Sequence, residues 1–243
     1  MPIDDPGMIE AQLITRLQHA PEQLGFTYLC EILEAHLFDH DERAGKTMIC
    51  LARAFVPLMK EPMFTRRLRE FYDCTYGNPM IQTLMRACFT DYPPSRTGIP
   101  STDVQNAQTL ISQPLGIQKA RAREHQRGSC EALLFSPWPQ VIEILCTNPT
   151  VQERDILFMA SRRPTLNELL ETILVSPWSA RTEVRFALAA NPCITASHAI
   201  RLALTLPPAK LEILAQLPEP HPAVTGYARH IITAIETGRI STE

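Results

Sequence analysis

Residues 183–192 read Glu-Val-Arg-Phe-Ala-Leu-Ala-Ala-Asn-Pro, a short apolar stretch that ends in an Asn-Pro pair. The i, i+3, i+4 spacing of a helix with one buried face applies to Val184, Ala187 and Leu188. Proline cannot occupy a helix interior without losing a hydrogen bond, and it pushes the residue before it out of the α region. The stretch therefore predicts a short helix that ends before Pro192.

The same punctuation recurs through the second half of the chain. Prolines stand at positions 137, 149, 164, 177, 192, 207 and 220, so that 12 to 15 residues separate each from the next. Each interval holds one helical pattern, and none shows the period-two alternation of a strand. The proline spacing thus predicts a series of short helices over residues 129–243.

A longer repeat is visible when three of these helices are taken together. Ser136-Pro137-Trp138 recurs 40 residues later as Ser176-Pro177-Trp178. Asn148-Pro149 recurs 43 residues later as Asn191-Pro192. A period of about 40 to 47 residues with two or three helices per unit is typical of HEAT and armadillo arrays. We therefore predict an all-α fold with a short-helix α-solenoid, built from three-helix units of about 41 residues.

Two helix starts in this series match a capping box, in which a hydroxyl and a carboxylate satisfy free backbone donors reciprocally. They are Thr150-x-x-Glu153 and Thr165-x-x-Glu168. Helices are therefore predicted to begin directly after Thr150 and after Thr165.

Five stretches of this region share a pattern with other helical-repeat proteins. They are residues 115–123, 141–149, 161–164, 176–178 and 183–192. Through them, residues from about 115 to 230 resemble an uncharacterised bacterial family related to leucine-rich-repeat variants and HEAT-like, armadillo-type arrays. In that pattern a threonine starts a helix after each Asn-Pro; here Thr195 can serve after Pro192, and Gln152 replaces it after Pro149. The resemblance implies a right-handed helical solenoid and carries no activity with it.

The first half of the chain is predicted to be helical but less regular. Helices are expected at residues 7–19, 22–38, 42–59, 62–74 and 79–90. Residues 1–90 are interpreted as an N-terminal helical domain or a diverged cap, and residues 129–243 as the helical-repeat domain. Between them, residues 91–128 are predicted to form a Pro-rich linker followed by a basic helix.

Composition excludes several classes of protein. The chain has 21 prolines and only 9 glycines, 45% hydrophobic residues and a formal charge of −3, which rules out collagen, a flexible linker and wholesale disorder. An acidic start and the lack of a long apolar run predict a cytoplasmic protein without a membrane span. The seven cysteines include no C-x-x-C pair, so that buried, reduced thiols are expected.

A basic stretch precedes the repeats. It contains Lys119, Arg121, Arg123 and Arg127, with a single acid among them. If the stretch is one helix, Lys119, Arg123 and Arg127 form a cationic stripe that could dock an acidic partner. A solvated linker helix is the alternative.

Two tryptophans occupy equivalent positions in the repeat, Trp138 and Trp178. They either pack between neighbouring units or form exposed aromatic anchors of the kind enriched at interfaces. Arginines that could line one face of the array are Arg162, Arg163, Arg181, Arg185 and Arg201. From that set we take Arg163 and Arg185 as candidate partner contacts.

Two weaker motifs lie in the N-terminal part. His36 and His40 stand four residues apart, as in some zinc sites, but a third ligand is missing and a polar helix end is the favoured interpretation. Residues 43–47 end like a phosphate-binding P-loop, yet the required upstream glycine is replaced by His40, and a polar helix start is favoured.

No catalytic signature and no cofactor motif accompanies these features. The favoured hypothesis is a non-catalytic protein–protein interaction or scaffolding module that uses an α-solenoid surface to bind another protein with an acidic surface. The alternative is a HEAT-like nucleic-acid-binding or DNA-base-repair protein, which the sequence pI of about 6.2 disfavours. An enzyme built around His36 and His40 is the least favoured interpretation.

Overall fold

All regular elements of the described residues are helical in the computed structural model, so the all-α prediction is confirmed for them. The structure describes residues 6–19, 28, 31–32, 35–36, 41–66, 92–96 and 113–240. In the described part of the first half, the helices whose bounds are given are α1 (Pro6–His19) and α2 (Glu42–Leu58), and residues 28, 31–32, 35–36 and 62–66 are helical as well. The second half contains α3 (Leu115–Ala122), α4 (Arg127–Leu133), α5 (Pro139–Thr147), α6 (Glu153–Ser161), α7 (Asn167–Val175), a 3-10 turn (Pro177–Ala180), α8 (Thr182–Ala189), α9 (Ala196–Ala203), α10 (Pro208–Gln216) and α11 (Pro222–Ile240).

Proline limits the length of the helices, although α3 to α10 lie at or below the lower end of the about nine to thirteen residues that the sequence predicts. Helices α3 to α10 are seven to nine residues long, and α5 begins at Pro139, where the missing N–H of proline costs no helical hydrogen bond. Pro149 and Pro192 lie in the turns that follow α5 and α8. In the first half, α1 and α2 lie close to the predicted bounds. Of the predicted helices at 22–38 and 62–74, residues 28, 31–32, 35–36 and 62–66 are described and are helical, and the predicted helix at 79–90 lies outside the described residues.

The two predicted capping boxes are wrong. Helix α6 begins at Glu153 and is capped by Gln152, whose backbone N–H donates to the Asp155 carboxylate at 2.8 Å. Thr150 lies in the preceding turn, where its hydroxyl donates to Asn148 Oδ1 at 2.7 Å. Helix α7 begins at Asn167 without a side-chain cap.

Asn148 explains why no capping box forms at Thr150, because its Oδ1 accepts the threonine hydroxyl that the box requires. Gln152 directly precedes α6 and Thr195 directly precedes α9, as the pattern of helix starts after Asn-Pro implies.

The two Asn-Pro pairs make the same set of contacts, although they follow different helices. Asn148 Nδ2 donates to the carbonyls of Ala122 and Glu124 at 2.8 and 2.9 Å, and its Oδ1 accepts the Thr150 N–H at 2.9 Å. Its amide therefore joins the end of α5 to the end of α3.

Asn191 repeats that arrangement one three-helix interval later. Its Nδ2 donates to the carbonyls of Ala160 and Arg162 at 2.8 and 3.1 Å, and its Oδ1 accepts the Cys193 N–H at 2.9 Å. This amide joins the end of α8 to the end of α6. The two residues are called the asparagine bridges below.

Each bridge links a helix to the one two places before it. Helix α3 packs against α5, α5 against α7, and α6 against α8. The paired helices run in the same direction, because their carboxyl-terminal ends lie together. Asn148 joins the ends of α5 and α3, and Asn191 joins those of α8 and α6. Just after α7, the Trp178 indole N–H donates to the Cys146 carbonyl near the end of α5 at 2.8 Å. The apolar residues between these pairs are almost inaccessible to solvent: Val141, Leu145, Ile156, Leu170, Val184 and Leu188 are each 0% exposed.

The chain contains two compact units. One comprises Met1–Asp91, Ile200–Gln216 and Pro222–Glu243, and in it α1 packs against α2 and α10 against α11. The other comprises Tyr92–Ala199 and Leu217–His221 and contains both tryptophans of the sequence, Trp138 and Trp178. The division into residues 1–90, 91–128 and 129–243 stays a prediction.

Four described cysteines are free and buried, as the sequence predicts: Cys50, Cys130, Cys146 and Cys193. Burial raises the pKa of the Cys146 thiol from an ordinary 9.0 to about 11, because the thiolate would be poorly solvated there. The remaining cysteines, Cys30, Cys74 and Cys88, lie outside the described residues.

Cys146 is therefore expected to react slowly with iodoacetamide in the folded protein. At pH 8 a thiol with a pKa near 11 holds about 100-fold less thiolate than an ordinary one, and the thiolate is the reacting form. Because deprotonation increases with pH, the rate should rise about tenfold per pH unit up to about pH 11. Peptide mass spectrometry measures the rate, with the urea-unfolded protein as control. Equal rates in the folded and unfolded proteins at pH 8 would contradict this prediction.

Candidate interaction surface

The connection between α4 and α5 is fixed at one buried residue and exposed on either side of it. Ser136 is 1% exposed, and its hydroxyl donates to Oε1 of the fully buried Gln118 at 2.8 Å. The other end of that amide donates to the Gln113 carbonyl at 3.0 Å, so that Gln118 is held from both sides. Phe135 is half-buried, and 42% of Trp138 is exposed. The anchor at Ser136 therefore presents two aromatic side chains on a short, ordered segment.

Two further exposed apolar side chains lie on helices that contact this segment, α6 through Phe158 and α3 through the Gln118 hydrogen bond. The ring of Phe158 on α6 contacts Phe135 edge to face, with 5.1 Å between ring centroids, and remains 41% exposed. Ile117, next to Gln118 on α3, is 46% exposed. Together, Ile117, Phe135, Trp138 and Phe158 are called the apolar surface below. Exposed aromatic residues on a rigid support are enriched at protein interfaces.

A guanidinium lies at the edge of the apolar surface. The Cζ of Arg162 is 6.0 Å from the centroid of the Phe135 ring, and its Nη1 donates to the Leu134 carbonyl at 3.1 Å. Burial lowers the pKa of this guanidinium. Its Nε is buried without a hydrogen-bond acceptor among the described residues.

The predicted cationic stripe is not one helical face. Helix α3 ends at Ala122, and α4 begins at Arg127 after a turn, because the backbone of Arg123 and Glu124 closes 3-10 hydrogen bonds to Ala120 and Arg121. Arg127 points into its own unit: its guanidinium makes two 2.8 Å hydrogen bonds to Asp155 and one to Glu131. The hydrogen bonds to Glu131 and then to Asp155 raise its pKa.

The remaining cations of the basic stretch lie at the end of α3. Lys119 and Arg121 are half-buried, and Arg123 is exposed with its guanidinium donating to the Lys119 carbonyl at 3.4 Å. Within the described ranges none of these three pairs with a carboxylate. They stay candidate partner contacts.

Two other arginines predicted to contact a partner are engaged within the second unit. Arg185 is 5% exposed and donates to the carbonyls of Ser179 and Ala180 at 3.0 and 2.7 Å, and burial lowers its pKa to about 10. Arg163 donates to the Ala190 carbonyl at 3.0 Å and forms an ion pair with Glu219. Burial is the main reason that the pKa of Arg163 is lowered. These contacts give both side chains a structural role.

The two tryptophans differ in spite of their equivalent sequence positions. Trp178 lies in the 3-10 turn, and its indole N–H is used in the hydrogen bond to Cys146. Trp138 directly precedes α5, which begins without such a turn, and it remains exposed. One tryptophan thus packs between helices, and the other belongs to the apolar surface.

The weaker motifs of the first half have no ligand site among the described residues. His36 is half-buried near α2, with its Nδ1 3.3 Å from the point where a Cβ on Gly45 would lie, and its predicted partner His40 lies outside the described residues. No group of three His, Cys, Asp or Glu side chains in the described ranges could hold a metal ion. Residues 43–47 lie inside α2, which Asp41 caps by accepting the Arg43 N–H at 2.7 Å, as the polar helix start predicts.

Sequence reasoning did not single out Ile117, Phe135 or Phe158. The sequence of α6 does indicate that Phe158 is exposed, because Ile156 and Met159 define the buried face of the helix and Phe158 falls outside it. No such signal existed for Phe135, which lies in the connection between α4 and α5 and not on a helix face.

No protein-family model, curated protein or solved structure matches the chain. The resemblance to leucine-rich-repeat variants and HEAT-like arrays therefore stays a prediction. Within the described ranges, none of the helices is both long enough and apolar enough to span a bilayer.

Proposed function

We propose that this protein is a non-catalytic protein–protein interaction module, in which short stacked helices of an α-solenoid present the apolar surface to another protein. The observation that carries the proposal is the fixed, exposed group of aromatic side chains around residues 135–138. Exposed apolar groups on a well-packed support mark binding sites more often than scattered surface residues do.

The solenoid part of the proposal is supported by the helix pairs. Helices two places apart run in the same direction in all three pairs, and the two asparagine bridges repeat one set of hydrogen bonds. Such nearest-neighbour stacking is how helical-repeat proteins build an extended binding surface.

The distribution of charge supports a protein partner over a nucleic acid. Phosphate binding at useful strength needs several lysines or arginines that are available to the ligand. Arg127, Arg163 and Arg185 are instead held by acceptors of the protein itself. The free energy available at the apolar surface comes from burying its rings, which a folded protein or peptide can cover.

The Trp138→Ala variant is expected to lose its partner. Truncating an exposed aromatic anchor at the centre of an interface weakens binding by about 10-fold or more. The experiment compares proteins that co-purify from a native lysate with wild type and with the variant, quantified by mass spectrometry. Ile213→Ala is the matched control, because Ile213 is 48% exposed and lies in the other compact unit.

Three outcomes are informative. A set of proteins that binds wild type and Ile213→Ala but not Trp138→Ala supports the proposal. Partners that bind all three equally contradict the assignment of the surface. A shift of labelled DNA or RNA at low salt and micromolar protein, without any protein partner, would favour the nucleic-acid alternative.

A further inference from the structure

We propose that the end of α3 forms a basic edge of the apolar surface, and that the partner segment is therefore acidic as well as apolar. An aromatic or aliphatic residue of the partner covers Ile117, and carboxylates about one helical turn away pair with Arg121 and Arg123. The inference rests on the proposed function and names the chemistry of the partner.

The start of α3 lies next to Trp138. The Ser136 hydroxyl donates to the Gln118 side chain at 2.8 Å and accepts the Trp138 N–H at 3.4 Å, so that one buried group links the two segments. Ile117, the neighbour of Gln118, is exposed, as is Trp138. A partner that covers Trp138 therefore has the beginning of α3 within reach.

Helix α3 leads from Ile117 to a cluster of cations. Gln118 and Ala122 are fully buried and define the face of the helix that packs against its own unit. Ile117 and Arg121 are also four residues apart, so that they are neighbours on the adjoining face, with about 6 Å between their Cβ atoms. Arg123 directly follows the last residue of the helix and is exposed. The surface thus changes from apolar to basic within one helical turn.

The described residues provide no carboxylate for these cations. Cations near a helix end often interact with its free carbonyls, but those of α3 accept backbone N–H groups of the following turn and the Asn148 amide. In the part of the chain that the structure describes, the side-chain nitrogens of Lys119 and Arg121 make no hydrogen bond or ion pair. The guanidinium of Arg123 donates there only to the Lys119 carbonyl. Their charges are therefore available to a partner.

The local charge favours an acidic partner. Residues 115–125 contain three cations, Lys119, Arg121 and Arg123, and one carboxylate, Glu124, which accepts the Ser129 hydroxyl at 2.9 Å. The chain as a whole has a formal charge of −3, so that this positive patch is local. Carboxylates opposite such a patch increase the association rate and the specificity of binding.

The test uses a phage-displayed library of random dodecapeptides selected on the full-length protein. The expected peptides contain Asp or Glu together with aromatic or aliphatic residues. One enriched peptide is synthesised, and its affinity is measured by fluorescence anisotropy at about 20 mM and about 500 mM salt, because salt screens exposed ion pairs. The Arg121→Gln/Arg123→Gln double variant should bind about 10-fold more weakly than wild type at low salt and about equally at high salt. The loss in Trp138→Ala should be similar at both, because burial of a ring is not screened.

Two controls locate the contact. Arg181→Gln should leave the affinity unchanged, because Arg181 is an exposed arginine of the same compact unit that directly precedes α8. Arg121→Glu should weaken binding of the acidic peptide, and a peptide with Lys in place of its Asp or Glu should bind this variant more tightly than wild type. Thermal melts show which variants fold, and if the double variant does not, this charge exchange decides the question.

The outcomes separate the inference from the proposed function. Peptides that require Trp138 but contain no acidic residue overturn the inference and leave the proposed function standing. Acidic peptides that bind the double variant as tightly as wild type at low salt do the same. If no enriched peptide depends on Trp138, both are overturned. An oligonucleotide that binds independently of Trp138 and loses affinity in the double variant would assign the basic edge to phosphates and overturn the inference.

Discussion

Replacing Asn191 with alanine is expected to lower the free energy of unfolding by about 4 kcal/mol. The residue is 1% exposed, and its amide makes three backbone hydrogen bonds, to Ala160, Arg162 and Cys193. Alanine removes all three at once and leaves buried carbonyls and an N–H without partners. Each such group costs about 1–3 kcal/mol, and relaxation of the backbone recovers part of the loss.

Urea unfolding monitored by tryptophan fluorescence measures this effect, because both tryptophans lie in the same compact unit as Asn191. Asn191→Asp is the informative control. It keeps the oxygen that accepts the Cys193 N–H but loses the donors to the ends of α6, and it should be nearly as destabilising. A loss below about 1 kcal/mol for Asn191→Ala would show that the bridge does not stabilise the unit.

Replacing Phe55 with alanine is expected to cost about 4 kcal/mol in the other compact unit. Phe55 on α2 is 2% exposed and is the largest of the fully buried side chains among the described residues. Its ring centroid is 5.8 Å from that of Phe64, and the Arg201 guanidinium lies 5.3 Å from it. Alanine leaves a cavity and removes both ring contacts, so that transfer and packing contributions are lost together.

Far-UV circular dichroism during urea unfolding measures the loss, and Phe55→Leu is the matched control. Leucine keeps most of the buried volume and should cost about 1–2 kcal/mol. Trp138 and Trp178 report on the second unit alone, so comparing fluorescence with circular dichroism shows whether the two units unfold together. A Phe55→Ala variant as stable as Phe55→Leu would contradict the prediction.

Much of the secondary structure could be predicted because proline acts locally. It ends helices through its own ring and its missing N–H, and those effects need no knowledge of distant residues. The short helices α5 to α10 and the end of α8 before Pro192 follow from the sequence in this way, whereas the turn between α3 and α4 contains no proline and was not predicted. Gln152 and Thr195 were expected as helix starts from the resemblance to helical-repeat proteins and not from proline.

The remaining features depend on groups far apart in the chain. The capping box predicted at Thr150 failed because Asn148, itself bound to the end of α3, accepts the Thr150 hydroxyl. The basic stretch could not be interpreted without Asp155, which lies 28 residues from Arg127 and holds its guanidinium. Long-range pairing therefore decides which arginines are available to a partner, and the spacing of residues in the sequence does not predict it.

The division into two compact units also has a consequence for biosynthesis. Phe55 leaves the ribosome long before Arg201, which lies over its ring, and the whole of Tyr92–Ala199 is translated between them. Most of the second unit is thus complete while the first still lacks Ile200–Gln216 and Pro222–Glu243. Until Ile200–Gln216 and Pro222–Glu243 have been translated, part of the core of the first unit stays uncovered. A nascent-chain chaperone that binds apolar segments would have its longest opportunity there.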